Sequence, residues 1–262
     1  MKIIVTVKQV PDTNDVRIDP VTGTLIREGV PSIVNPEDRQ AVELALELRE
    51  AAGEGTVTVI SMGPPQAEVA LREVMAMGAD EAILLSDRAF AGADTLATAS
   101  ALSYAIKKIG KYDLILCGRQ AIDGDTAQVG PQLAEFLQIQ QVTYVLNARF
   151  TFGGLLIDRQ TDSGSQRLTV PMPALLTCLK ETNLPRIPTL QGCIGAYREK
   201  KFTVWSAADI GAPVEQIGLK GSPTQVRRTF TPTPKGAGVT LTGDPAVTVR
   251  QTLDFLREKG LI

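Results

Sequence analysis

Residues 117–131, Cys-Gly-Arg-Gln-Ala-Ile-Asp-Gly-Asp-Thr-Ala-Gln-Val-Gly-Pro, hold the residue types and spacing from which chemistry can be built. They follow a run read as a buried parallel strand, residues 112–116, and lead into a helical pattern ending near Leu137. A strand, a glycine-punctuated acidic loop and a helix start bring unpaired backbone N–H groups together, which suits an anion such as phosphate. Gly118, Gly124 and Gly130 permit a close approach to a ligand or a positive φ. The stretch is neither a Gly-x-Gly-x-x-Gly turn nor a P-loop closed by Lys-Ser/Thr. Spacing alone therefore leaves two readings open, a nucleotide site and an ordinary tight strand-to-helix turn.

The 262 residues include no histidine. That excludes Ser-His-Asp and Cys-His constellations and any His-ligated zinc or haem. Chemistry must rest on carboxylates, Lys, Tyr or Cys, or be carried by a cofactor, and this elimination favours a redox cofactor. The three cysteines, Cys117, Cys178 and Cys193, have no paired metal spacing. Cys117 and Cys178 close apparent core strands, where reduced, partly buried thiols are expected. A net charge of −2 gives no reason to expect nucleic acid or a membrane surface as partner. No apolar run reaches bilayer length and the first residues enter a strand directly, so a cytoplasmic protein is expected.

The elements that must position the loop follow from periodicity. Strands are expected over residues 2–7, 56–61, 81–85 and 112–117, with helical patterns between them. Asn35-Pro36-Glu37-Asp38 reads as the start of the first long helix: an N-cap, a proline at the first helical position and acids at the positive end of the dipole. Asp94 caps a later helix and Gly78 and Gly110 end two of them. The alternation predicts an α/β fold, a doubly wound parallel sheet with right-handed crossovers and helices on both faces. In such a sheet ligands sit beyond the carboxyl ends of the strands at a switch point. The architecture puts the exits 8–12, 61–64 and 117–125 on that edge, which strengthens the nucleotide reading. Residues 16–26 read as a hairpin excursion, and 141–152, 155–160 and 166–170 as antiparallel ribbons. Residues 173–178 read as one more core strand, and the chain from Thr182 as irregular. The basic cluster 198–201 reads as a solvated loop or a partner-docking edge. Residues 206–245 look like an arm lying on another subunit, followed by a helix capped by Asp244-Pro245.

The opening motif, with Val5-Thr-Val-Lys-Gln-Val-Pro-Asp12, Asn35-Pro-Glu-Asp38 and Ser61-Met-Gly-Pro64, closely resembles the beta subunit of electron transfer flavoproteins along essentially the whole chain. The resemblance implies a sheet of the adenine nucleotide alpha hydrolase-like type. It implies a nucleotide-binding domain over residues 1–190, then a partner-recognition loop, extended arm and C-terminal helix over 191–262 that pack on an alpha subunit. Conventional members hold a structural AMP; members resembling this chain at 123–131 hold FAD instead. Conventional members carry an Asp-Asp-Asp-Cys-Asn-Gln-Thr-Gly type run there. Small residues at Gly124 and Ala127 would leave room for the flavin end, so the FAD-binding, bifurcating branch is the favoured reading.

Carried over by position, the implied nucleotide contacts are Thr6, Val7 and Lys8, then Asn35, Pro36 and Asp38, then Met62 and Gly63. The remainder lie on the central motif: Cys117, Arg119, Ala121, Ile122, Asp123, Gly124, Asp125, Thr126, Ala127, Gln128, Val129, Gly130, Pro131 and Gln132. Asp123 and Asp125 are expected to cap the helix or its preceding turn, leaving backbone amides for the anion. Arg119 is expected either to stabilise anionic flavin or to pair with a phosphate or a surface acid. Leu190 and Ile194 correspond to the partner-recognition loop, although Gln191-Gly-Cys-Ile-Gly-Ala departs from the family's lysine-rich run. The implied function is hydride transfer from NADH to FAD in this subunit. One electron would go to ferredoxin or flavodoxin, the other through an alpha-subunit FAD to an acyl-CoA dehydrogenase-type partner. The alternatives are a conventional AMP-binding beta subunit and a stand-alone nucleotide-binding module of the universal-stress type.

Overall fold

The computed structural model describes residues 1–12, 31–227, 236 and 238–262. The hairpin expected at 16–26 lies outside them. Two compact units result, Met1–Arg227 and Arg228–Ile262.

The first unit is built on a sheet seeded by β1 (Lys2–Thr6), whose apolar residues are buried on both faces. Around it lie β4 (Thr56–Met62), β5 (Glu81–Leu85), β6 (Leu114–Gly118) and β10 (Ala174–Cys178), all mutually parallel. A small antiparallel pair, β2 (Gln9–Pro11) and β3 (Ser32–Val34), precedes α1 (Pro36–Ala51). From β1 the chain winds through α1 to β4, and through α2 (Glu68–Met77) to β5. Next α3 (Thr95–Ile109) carries it back to β6 on the other side of β1, and α4 (Val129–Leu137) follows β6. The helices α1 and α2 pack on the face bearing Ile3 and Val5, and α3 and α4 on the face bearing Ile4 and Ile115. Winding therefore reverses between β1 and β6, where two neighbouring strands send their chains to opposite faces. An open crevice at the carboxyl ends of those strands follows from that topology.

Beyond β10 the sheet continues through β7 (Gln140–Thr151), parallel to β10, and the antiparallel β8 (Gly154–Thr161) and β9 (Gly164–Val170). The ribbons read from alternation are thus an extension of the main sheet. Asp94 caps α3 as expected, its carboxylate accepting from the Ala97 N–H at 3.0 Å.

The stretch after Thr182 is more regular than its composition suggests. Residues Leu190–Arg198 form α5, capped by the Thr189 hydroxyl accepting from the Gly192 N–H, and Lys201–Trp205 form β11, an edge strand parallel to β5. The glycines that hide this helix in the sequence are what allow it to pack. A Cβ on Gly192 would overlap the carbonyl of Ala76 in α2. Lys200, in the basic cluster, donates to the Met75 and Ala79 carbonyls at 2.7 Å and closes the end of α2. The boundary drawn at 190/191 coincides with the first residue of α5, while the compact unit runs on to Arg227. The first part of the expected arm also folds onto this unit: Ile210 and Ile217 are buried in its core, and Thr224 donates to Asp94. The second unit contains α6 (Pro245–Glu258), capped by Asp244 and with no buried residue.

A candidate nucleotide crevice at the switch point

Backbone register brings the separate stretches together. Val5 pairs with Leu116 and Thr6 with Ile60, so Thr6, Cys117 and the end of β4 reach one level at the carboxyl edge. Val7 continues there, its N–H donating to Ile60 O at 2.9 Å, and the Gly63 N–H donates to Leu85 O. Met62 and Thr6 are half-buried at the rim.

The loop 118–128 is held from one side by the start of α1. Asn35 does not cap its helix; no side-chain cap bond forms there. Its amide instead straddles the loop, Nδ2 donating to Gln120 O at 2.9 Å and Oδ1 accepting from the Ile122 N–H at 3.1 Å. Asp38 joins two strand exits, with Oδ2 accepting from the Lys8 N–H at 2.7 Å and Oδ1 from the Gly118 N–H at 3.0 Å. Burial pushes its carboxyl up to about 7, against the opposing pull of the Lys8, Asn35 and Gly118 donors and the Lys8 charge. Glu37 divides its oxygens, Oε2 taking the Gln120 N–H at 2.9 Å and Oε1 the Arg119 guanidinium at 3.0 Å. Burial raises its pKa, and the Gln120 and Arg119 contacts oppose that rise.

A further expectation needs correcting. Asp123 and Asp125 do not cap α4: its N-cap position is Gln128, and no side-chain cap bond forms there. Asp123 instead accepts from the Lys8 ammonium at 2.6 Å, across the space between the β1 and β6 exits. Asp125 accepts from Gln120 Nε2 at 2.8 Å. The acids are taken up by the Lys8 ammonium from the β1 exit and by the Gln120 side-chain amide, so a motif rich in carboxylates can still accommodate an anion. Cys117 is a packing residue. Its thiol lies under α4, where a Cβ on Gly130 would come within 2.9 Å of the sulfur, and burial raises its pKa well above the thiol range.

Past Ile122 the backbone changes character. Asp125 and Ala127 adopt φ of 48° and 52°, in the left-handed region that non-glycine residues seldom occupy. Ala127 left-handed followed by right-handed Gln128 forms a nest, in which successive N–H groups converge on one point. The nest runs into the first turn of α4, where Val129 and Gly130 present further N–H groups and Pro131 has none to leave unpaired. Thr95 of α3 donates to the Gln128 side chain at 3.0 Å and steadies the turn. Gln132 lies one turn further into α4. The arrangement can hold a phosphate on backbone amides beside a strand edge able to take an adenine.

Leu190 and Ile194 are not part of this crevice. They lie in α5, which packs against α2; Leu190 is 79% exposed, and Leu184 and Ile187, a few residues earlier in the chain, are exposed as well. Arg186 fastens the segment leading to these exposed apolar residues through a paired contact to Glu43 and a second to Glu50. Sequence reasoning placed Glu37 in the first turn of the helix and Gln120 in the central motif without the contact between them, and it missed Tyr144 altogether. Tyr144 sits at a bulge of β7 with φ of 60°, its ring 5.9 Å from the Arg119 guanidinium. Nothing in a single sequence marks such a residue.

The electron transfer flavoprotein domain model matches residues 22–210. The electron transfer flavoprotein subunit beta of Thermoanaerobacterium thermosaccharolyticum is 55% identical over 262 residues, the full length of both chains. The caffeyl-CoA reductase-Etf complex subunit CarD of Acetobacterium woodii is 52% identical, again over all of both chains. The acryloyl-CoA reductase electron transfer subunit gamma of Anaerotignum propionicum is 45% identical over the whole of both. A doubly wound sheet, a nest-and-helix loop at its switch point and likeness over the entire length lead to one assignment: the chain belongs to the electron transfer flavoprotein family, as a beta subunit.

Proposed function

We propose that this beta subunit seats FAD in the crevice between the exits of β1 and β6 and works in the cytoplasm in a heterodimer with an alpha subunit that carries a second FAD. A flavin bound there would supply the redox chemistry, accepting a hydride from NADH whose two electrons would leave singly, one to a ferredoxin or flavodoxin and one through the alpha-subunit flavin to an acyl-CoA dehydrogenase-type partner. The residues of this chain bind and orient. Amides 127–130 face the phosphates, while Lys8 and Arg119 have their charges offset by Asp123 and Glu37. The segment with the exposed Leu190 and Ile194 is the partner-recognition surface.

The observation that carries FAD over AMP is Gly124. Its φ is not positive, and a Cβ there would meet no protein atom within 4 Å. Neither backbone conformation nor packing requires glycine, and the side of the loop is left clear for a group larger than a mononucleotide. Relatives named for a caffeyl-CoA reductase complex and for acryloyl-CoA reductase support the choice of a CoA-thioester oxidoreductase as partner. The full-length likeness to beta subunits weighs against a stand-alone module. Denaturing the native heterodimer and counting the released nucleotides tests the proposal. Two FAD per heterodimer is expected, and one FAD with one AMP would establish the conventional, non-bifurcating reading instead.

A further inference from the structure

The start of α1 gives up its own capping to hold another segment. A helix N-terminus with Asn at the cap and two acids in the first turn would ordinarily turn those side chains onto its own free N–H groups. Here Asn35, Glu37 and Asp38 are all buried. Their six side-chain polar atoms, except the second Asn35 lone pair and spare carboxylate capacity, go to the backbone of Lys8 and of residues 118–122 and to the Arg119 guanidinium. Gly118 completes the fit, since a Cβ there would overlap Asp38 Oδ1. Forgone caps lower helix stability, so the gain must lie in the segment that is held.

We propose that Glu37, together with Asn35 and Asp38, is a positioning residue of the nucleotide crevice, fixing the backbone 118–122 before any ligand arrives. This rests on the reading that the crevice holds an adenine nucleotide. The three side chains act on the nucleotide through the loop, since each of their polar atoms has a partner at Lys8 or in residues 118–122. They fix the rigid half of the loop, from which the left-handed turn at Asp125 and Ala127 springs. With 118–122 already ordered, the ordering cost on binding is confined to 123–128.

The experiment uses the full chain in its native complex, stripped of its beta-site nucleotide by mild chaotrope and then titrated with AMP and with FAD. In the stripped wild type, hydrogen exchange is expected to show the Gly118, Gln120 and Ile122 amides protected while 126–128 exchange freely. The Glu37→Ala variant is expected to bind AMP and FAD about tenfold more weakly with little change in ligand-free melting temperature. Glu37→Gln keeps an acceptor oxygen for the Gln120 N–H and is expected to restore most of that affinity. Free exchange at 118–122 until ligand is added would overturn the proposal without recourse to any variant. So would equal affinity in Glu37→Ala, or a ligand-free stability that falls in step with affinity. If the wild type releases no nucleotide and binds neither probe, it is the underlying site reading that fails.

Discussion

One carboxylate and two glycines decide how the crevice behaves residue by residue. Asp38 is about 7 in the folded chain against 3.8 for an ordinary aspartate, so the folded state binds its proton more tightly than the unfolded state. The stability this gives is complete below the ordinary value and is lost as pH rises through about 7. Chemical denaturation at pH 5 and pH 8 should therefore show the wild type losing about 2–3 kcal/mol more than Asp38→Asn does across that interval. An identical pH profile for the two proteins would refute the role of Asp38. Gly118→Ala forces a methyl group onto the Asp38 carboxylate and main chain. A loss of about 2 kcal/mol is expected in urea unfolding, accompanied by weaker nucleotide binding. Gly124→Ala, which meets no protein atom, should leave stability within about 0.5 kcal/mol. An effect on FAD retention alone would mark the space beside it as ligand space.

Among the elements, α4 and α5 each depend on one close contact. The start of α4 approaches β6 and β10 so closely that a Cβ on Gly130 would lie 2.7 Å from the Thr177 methyl. Gly130→Val should push the helix off the sheet and cost roughly 1–3 kcal/mol by calorimetry, displacing the amides at 128–130. The approach to α5 is tied down by Arg186, whose guanidinium meets the buried Glu43 carboxylate. Arg186→Ala leaves that carboxylate without its partner, and a loss of about 2 kcal/mol is expected. A larger loss of affinity for the oxidoreductase partner than for AMP would show that the exposed apolar segment is positioned separately from the crevice. The elements legible beforehand were those with strong periodicity and their own caps, such as α3 with Asp94 and Gly110. The helix α5 was not legible, because Gly192 and Gly195 and the flanking prolines look like loop until α2 is seen lying against them.

At the scale of the whole molecule, the first unit buries Ile210 and Ile217 from the segment that composition alone would place on a neighbour. The helix α6, with none of its residues buried within the chain, contributes an apolar side without a core. A chain ending at Arg227 is expected to keep the unfolding transition of the first unit unchanged in calorimetry while losing affinity for the alpha subunit. A collapsed transition would show that residues 228–262 stabilise the first unit directly.

The sequence by itself determined the doubly wound parallel sheet and pointed to the carboxyl edge of its strands as the place for the proposed ligand. Buried strands, helical repeats and caps are local signals, and handedness rules convert them into topology. It also singled out the 117–131 loop, whose glycines and acids are unusual as a group. What each of those residues does was decided only by tertiary structure. Whether Asn35 caps its own helix or clasps Gln120 and Ile122, and whether Asp123 caps α4 or takes the Lys8 ammonium, depends on which donor lies within about 3 Å. Those donors come from segments 80 to more than 110 residues away along the chain. No pattern along a single segment records them.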